Sequence, residues 1–183
     1  MIPPFPADAA RSRRLEAMIR VDHAGEFGAV QIYKGQRAVF EAARGKDKSA
    51  ALIAEMEAGE KSHLDTFDRL VAERGVRPTL LAPVWRLAGF GLGAATALLG
   101  EKAVHACTAA VEEVIEQHYA KQAEELGEEE PAFRETIEQF RADESAHKET
   151  ALKEGAEEAP GYRLLSSAIK LGCRAAIAIS ERI

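Results

Sequence analysis

The chain has 183 residues, of which 46% are apolar and 30% charged. That is enough sequence to bury a sizeable core, and too much charge for a polytopic membrane protein. The formal net charge of −6 argues against a nucleic-acid partner, and two cysteines, Cys107 and Cys173, cannot build a disulfide framework and suit a reducing compartment.

The opening segment, MIPPFPADAARSRR, has no apolar stretch and so no signal-peptide pattern. Arg11, Arg13 and Arg14 give it a trace of organelle-transit character, which Asp8 and its shortness oppose. The expectation is a mature or bacterial protein made and kept inside the cell. A first helix is predicted from about Ala9 to Ala43, stopped by Gly45. A second runs from about Lys48 to Glu73, stopped by Gly75 and Pro78. A third starts near Glu101 and ends at Gly127, and a fourth starts at Pro131, a favourable first-turn residue, and ends at Gly155. A fifth follows Pro160 and Gly161. Alanine and glutamate fill these runs and no alternating β-branched stretch competes, so the chain reads as all-α.

Residues 79–100, between the second and third helices, carry Arg86 as their only charge. The uncharged remainder, Leu87–Gly100, is 14 residues long, short of the roughly 20 needed to span a bilayer. The segment is therefore a buried crossover, or an interfacial or re-entrant helix. Gly89, Gly91 and Gly93 allow a backbone or a flat ligand to come close.

Charge is uneven along the chain. Residues 1–100 hold 14 basic and 12 acidic side chains, residues 101–183 hold 10 and 18, and residues 159–183 return to +3. In the fifth helix, residues 160–183, Arg163, Lys170 and Arg174 fall on one face and Leu164, Leu165, Ala168, Leu171 and Ala175 on the other. This pattern suits either a basic amphipathic helix on a membrane surface or a packing helix with a solvated face.

The chemistry lies in an internal repeat. Glu26 precedes Glu60 by 34 residues, and His63 follows Glu60 by three; Glu112 precedes Glu144 by 32, and His147 follows Glu144 by three. The i, i+3 spacing sets carboxylate and imidazole on one helix face. Four such helices facing inward would bring four carboxylates and two imidazoles to one point, the ligand complement of a di-iron or di-manganese centre in a four-helix bundle. Two divalent metals cancel four carboxylates that would otherwise repel and protonate. Glu113 and Glu116 compete with Glu112 for the third-helix position, and helical geometry leaves that choice open. Asp143 is placed to orient the imidazole of the opposite repeat, Asp22 lies one turn before Glu26, and Tyr119 lies two turns after Glu112. His23, His105 and His118 lack the repeat's context and are left outside the site.

The stretches RVDHAGEFGA (20–29), EKSH (60–63), CTAAVEEVIEQHY (107–119) and DESAH (143–147), with the apolar crossover and the tail LGCRAAIAISERI, resemble the demethoxyubiquinone hydroxylase family of coenzyme Q biosynthesis, from about Leu15 onward. The resemblance implies a single ferritin-like di-iron domain over residues 1–183, with Glu26, Glu60, His63, Glu112, Glu144 and His147 as iron ligands. It selects Glu112 by analogy. It implies a monooxygenase that uses O2 to hydroxylate the ring of a demethoxyubiquinol or demethoxyubiquinone, with NADH as the electron source. It also implies a polyprenyl quinone substrate, a lipid-binding partner protein in eukaryotic members, and a peripheral place on a membrane. That place is the cytoplasmic face of the bacterial membrane or the matrix face of the mitochondrial inner membrane. Two other readings compete: a ferritin-like ferroxidase or peroxidase, which shares the ligand set but lacks the apolar crossover, and a non-catalytic quinone-binding scaffold, which has no need of all six ligands.

Overall fold

A computed structural model describes residues 6–43 and 45–183, with side chains from residue 9 onward apart from Asp47. The segment MIPPF and the side chain of Asp8, which enter the reading of the N-terminus, lie outside what is described. Six helices follow in order: α1 (Pro6–Ala42), α2 (Asp47–Arg74), α3 (Ala82–Leu98), α4 (Glu101–Leu126), α5 (Pro131–Lys153) and α6 (Tyr162–Ser180), with one 3-10 turn at Ala156–Glu158. Among the described residues there is no strand.

Turn chemistry sets the ends. Gly75 closes α2 in the left-handed region (φ +64°) and returns its amide to the Val71 carbonyl, and Gly100 (φ +110°) makes the corner between α3 and α4. Pro131 opens α5 from its first turn.

α1 pairs closely with α2, and α4 with α5. The two hairpins face each other across a wider interior, in which Asp22, Glu26 and Tyr33 of α1 meet Gln122, Tyr119 and Glu112 of α4 in reversed order. α1 and α4 are thus antiparallel. The chain achieves this with one long crossover, because α3 runs back along α1 before α4 begins.

The α1–α3 contact is a glycine contact. A Cβ on Gly93 would overlap the Ile32 carbonyl oxygen, one on Gly35 would overlap the Phe90 carbonyl oxygen, and one on Gly89 would lie 2.9 Å from the Gly28 carbonyl oxygen. Two of the three glycines read as close-approach positions therefore meet the α1 backbone; a Cβ on Gly91 meets nothing. The crossover is a surface helix rather than a buried one. It hides Gly89, Gly93, Thr96 and Ala97 against α1 and leaves Leu87, Phe90 and Leu98 in the open. No helix among the described residues is long and apolar enough to cross a membrane.

Two apolar clusters sandwich the interior. Met18, Phe67, Tyr119, Phe133, Ile137 and Phe140 fill one end, and Tyr33, Phe40, Ile53, Met56 and Val104 the other. α6 packs on α4 through Leu165, Ile169 and Cys173, beside the buried thiol of Cys107. Its outer side differs from the two-faced helix drawn from the sequence. Leu165 is half-buried whereas Leu164 and Leu171 are exposed. On the basic stripe, Lys170 pairs with Glu113 at 2.7 Å and Arg174 donates to Gln117 Oε1 at 3.5 Å. That stripe therefore borders α4, and three faces, not two, share the helix.

Candidate metal centre

One turn from each of four helices delivers the site between the two apolar clusters: Glu26 from α1, Glu60 and His63 from α2, Glu112 from α4, and Glu144 and His147 from α5. All four carboxylates are 1% exposed or less. The ligand-type atoms form two overlapping sets. Glu26, Glu60, His63 and Glu144 have atoms within 4.8 Å of one another, and so do Glu60, Glu112, Glu144 and His147. Glu60 and Glu144 belong to both sets, which describes two neighbouring positions with two shared carboxylates.

Both imidazoles turn Nδ1 inward. His63 Nδ1 lies 3.1 Å from Glu144 Oε1 and 3.6 Å from Glu26 Oε2; His147 Nδ1 lies 3.0 Å from Glu60 Oε1 and 3.3 Å from Glu144 Oε2. The close approaches at His147 lack hydrogen-bond alignment. His147 Nδ1, both Glu60 oxygens and one oxygen each of Glu26, Glu112 and Glu144 have no hydrogen-bond partner. Buried polar atoms are seldom left unpaired in a native protein, so a converging set of them fits a cation.

Electrostatics agree. Burial, with repulsion from neighbouring carboxylates, holds Glu26, Glu60 and Glu112 above the usual carboxylate range. Burial would also raise Glu144, but the imidazoles of His147 and His63 beside it pull it down to about 2. Burial opposes charge on His63, yet Glu144 and Glu26 hold it at about 11; Glu144 and Glu60 likewise hold His147 at about 10. Protons are thus retained where metal cations would do the same work.

The residues around these ligand-type side chains make the following contacts. Asp143 Oδ2 lies 3.2 Å from His63 Nε2, orienting the imidazole of the opposite repeat. Tyr119 donates to Glu26, across the bundle from its own Glu112. Asp22 accepts from Gln122 Nε2 at 2.8 Å, with His118 Nε2 at 3.2 Å. His118 joins Asp22 and Gln122 in this polar cluster, its Nε2 lying 2.9 Å from Gln122 Nε2. Tyr33, unremarked in the sequence, donates to Glu112 Oε1 at 2.8 Å; its position seven residues after Glu26, on the same face, was the available signal. Glu113 pairs with Lys170 and Glu116 with Lys148, both away from the interior, while Glu112 is fully buried.

An apolar groove of about 530 Å³ lies on the outer side of the α1–α4 layer. α3 and α6 form its walls, with Trp85 Nε1–H donating to Ser180 Oγ at 3.0 Å at one end. Gly25, Gly28, Val111 and Ile115 are in its floor, on the turns that carry Glu26 and Glu112 on their inner side. A Cβ on Gly25 or Gly28 would meet nothing within 4 Å.

Known proteins share this sequence at length. The family model described as "Ubiquinone biosynthesis protein COQ7" matches residues 13–180. The 3-demethoxyubiquinol 3-hydroxylase of Rhodospirillum rubrum is 47% identical over 98% of this chain and 83% of its own. The mouse protein named NADPH-dependent 3-demethoxyubiquinone 3-hydroxylase, mitochondrial, is 48% identical over 92% of this chain and 77% of its own. The yeast 5-demethoxyubiquinone hydroxylase, mitochondrial, is 39% identical over 95% and 80%. The family match spans all four helices that build the buried Glu/His cluster, and the chain belongs to the COQ7 family of ubiquinone biosynthesis proteins.

Proposed function

We propose that this chain is a di-iron monooxygenase, a ferritin-like domain over its whole length, that hydroxylates the ring of a demethoxyubiquinol or demethoxyubiquinone. The observation that carries the proposal is the pair of overlapping ligand sets with unpaired buried oxygens. Glu26 and His63 would hold one iron, Glu112 and His147 the other, and Glu60 and Glu144 would be shared. With iron bound there, the centre would supply the activation of O2 needed to put one oxygen atom into a ring C–H bond while the other leaves as water for two electrons and two protons. The remaining work belongs to the protein. Tyr33 and Tyr119 donate to Glu112 and Glu26 and hold each carboxylate in one orientation. Asp143 accepts from His63 Nε2–H and turns Nδ1 to the centre. The groove supplies an apolar bed for a polyprenyl tail and a water-poor approach for the ring, with the glycine floor leaving room beside the turns that carry Glu26 and Glu112.

Electrons would come from a reduced pyridine nucleotide; the sequence resemblance led to NADH, and the names of the animal relatives carry NADPH. The substrate places the enzyme at a bilayer. Leu87 of α3 and Leu164 and Leu171 of α6, each at least 70% exposed, flank the groove and would enter the lipid interface, with Arg163 beside them at the headgroups. In a bacterium this is the cytoplasmic face, in a mitochondrion the matrix face, and a lipid-binding partner protein would hand over substrate at the same apolar side.

Anaerobic reconstitution of metal-free protein with ferrous iron tests the proposal. Two irons per chain and hydroxylated product after addition of O2 and a demethoxyubiquinol are expected. Glu112→Gln should lose metal and turnover, and Glu113→Gln should lose neither. One iron per chain, or two irons without product, overturns the reading.

A further inference from the structure

A hydrated divalent ion needs a route to this buried cluster, and the groove is a poor one. Its walls are apolar, and stripping an ion of water against apolar surface is prohibitively costly. The opposite side of the bundle differs. The backbones of α2 and α5 stand apart there, and between them lies a second pocket, of about 430 Å³, lined by Ser62, His63, Gln139, Asp143 and His147 among others.

Four observations align along this pocket. Asp143 sits at its lip with a side chain 41% exposed, and accepts from Gln139 Nε2 at 3.1 Å. Behind it, the His147 side chain is 19% exposed and the His63 side chain 6%. Gly59 belongs to the wall: a Cβ there would lie 3.4 Å from Cε1 and Nε2 of His147, so the missing side chain leaves the edge of that imidazole clear. Beyond the lining, on the inner side of His147, lies the Glu60 carboxylate, fully buried, with both oxygens lacking a hydrogen bond and one lying 3.0 Å from His147 Nδ1. Exposed carboxylate, partly exposed imidazole and buried carboxylate form a graded series of oxygen and nitrogen donors. Each can replace part of an ion's hydration before the next is reached.

We propose that the window between α2 and α5 is the port through which divalent metal is admitted to the centre, with Asp143 as its outermost acceptor and the His147 edge as its narrowest point. The inference rests on the di-iron reading above. It assigns the two sides of the bundle to different traffic: metal from the α2–α5 side, quinone from the α3–α6 side. Substrate in the groove then leaves metal exchange unhindered.

Stopped-flow uptake of Co2+ by the metal-free full chain, followed by its visible d–d absorption, tests this. Ser62 and Ala146 are exposed at the mouth and make no contribution to the ligand sets. Ser62→Trp and Ala146→Trp should each slow uptake several-fold and still reach the parental two ions per chain. Asp143→Asn should slow uptake and flatten its dependence on ionic strength, a change that loss of His63 orientation alone would not produce. Gly28→Leu, which fills the groove, should load at the parental rate. Parental rates in both tryptophan variants, or a groove variant slowed as much as they are, would overturn the port. A parent chain binding fewer than two ions would instead overturn the di-metal reading, and the two failures are separable because one is read in rate and the other in stoichiometry.

Discussion

Replacing Gly28 with leucine should make the protein more stable and a poorer enzyme. Gly25 and Gly28 lie inside α1, and a Cβ built on either meets nothing within 4 Å. Glycine in a helix interior costs about 1 kcal/mol relative to alanine, and leucine is nearly as good a helix former as alanine. No close packing at these two positions offsets that cost, because the space above them is the groove. A leucine at 28 recovers the propensity and buries new apolar surface against the groove walls, so a gain of about 1–2 kcal/mol is expected. At this chain length that raises Tm by about 2–4 °C per kcal/mol. The same side chain occupies volume that a bound ring or tail needs. Overpacking costs about 1–3 kcal/mol, and a penalty of that size on the bound state alone corresponds to a loss of about 5- to 150-fold in affinity. Calorimetry beside steady-state turnover of a long-chain demethoxyubiquinol reads both effects, and Gly28→Ala should show the stability gain with little of the loss. A Gly28→Leu protein that melts lower, or that turns over long-chain substrate at the parental kcat/KM, would refute the reasoning.

On the other wall, Gly93→Ala should destabilise by about 1–3 kcal/mol, because its Cβ would overlap the Ile32 carbonyl oxygen and push α3 off α1, whereas Gly91→Ala, open to space, should be neutral or slightly stabilising in the same melting assay. The metal-free protein should lose stability steadily as pH rises from 5 to 9. Glu26, Glu60 and Glu112 have folded-state pKa values raised above 4.5, and His63 and His147 are raised from 6.5 to about 11 and about 10. The stability these groups contribute is present below their unfolded values and fades as pH climbs through the folded ones; Glu144, lowered to about 2, acts in the opposite sense only in acid. Melting curves of metal-free and iron-loaded protein across that range should diverge as pH rises, and parallel curves would refute the assignment. Changing Leu87, Leu164 and Leu171 to glutamate should weaken sedimentation with neutral vesicles and leave Tm nearly unchanged, since these side chains are 72%, 79% and 70% exposed in the isolated chain.

Local features of the sequence carried much of this architecture. Gly75, Gly127 and Pro131 punctuate it so sharply that helix limits could be read to within a few residues. The doubled glutamate and Glu-x-x-His pattern brought out Glu26, Glu60, His63, Glu144 and His147, since i, i+3 spacing is itself a statement about one helix face, whereas Glu112 was singled out by the family resemblance. What escaped was non-local. Glu112, Glu113 and Glu116 differ in fate because Lys170 and Lys148 take the latter two, and no spacing rule announces partners 57 and 32 residues away. Asp22 found donors 96 and 100 residues along the chain. The crossover stayed ambiguous because an almost uncharged segment has no polar face to show which side it buries. Its glycines foretold a close approach, but only the folded chain shows that the approaching backbone is that of α1.

Trp85 is the only tryptophan in the chain, and it stands in the wall of the groove with its indole N–H held by Ser180. Its emission therefore comes from one known place. Quinones quench indole fluorescence efficiently, so a tail or ring settling between α3 and α6 would dim the protein without any added label. A rupture of the Trp85–Ser180 hydrogen bond would shift the wavelength instead. The molecule thus carries its own optical gauge, in which intensity reads occupancy and colour reads the state of the clasp at the groove's end. Titrations in detergent or bilayer can then be followed by light before any turnover is measured.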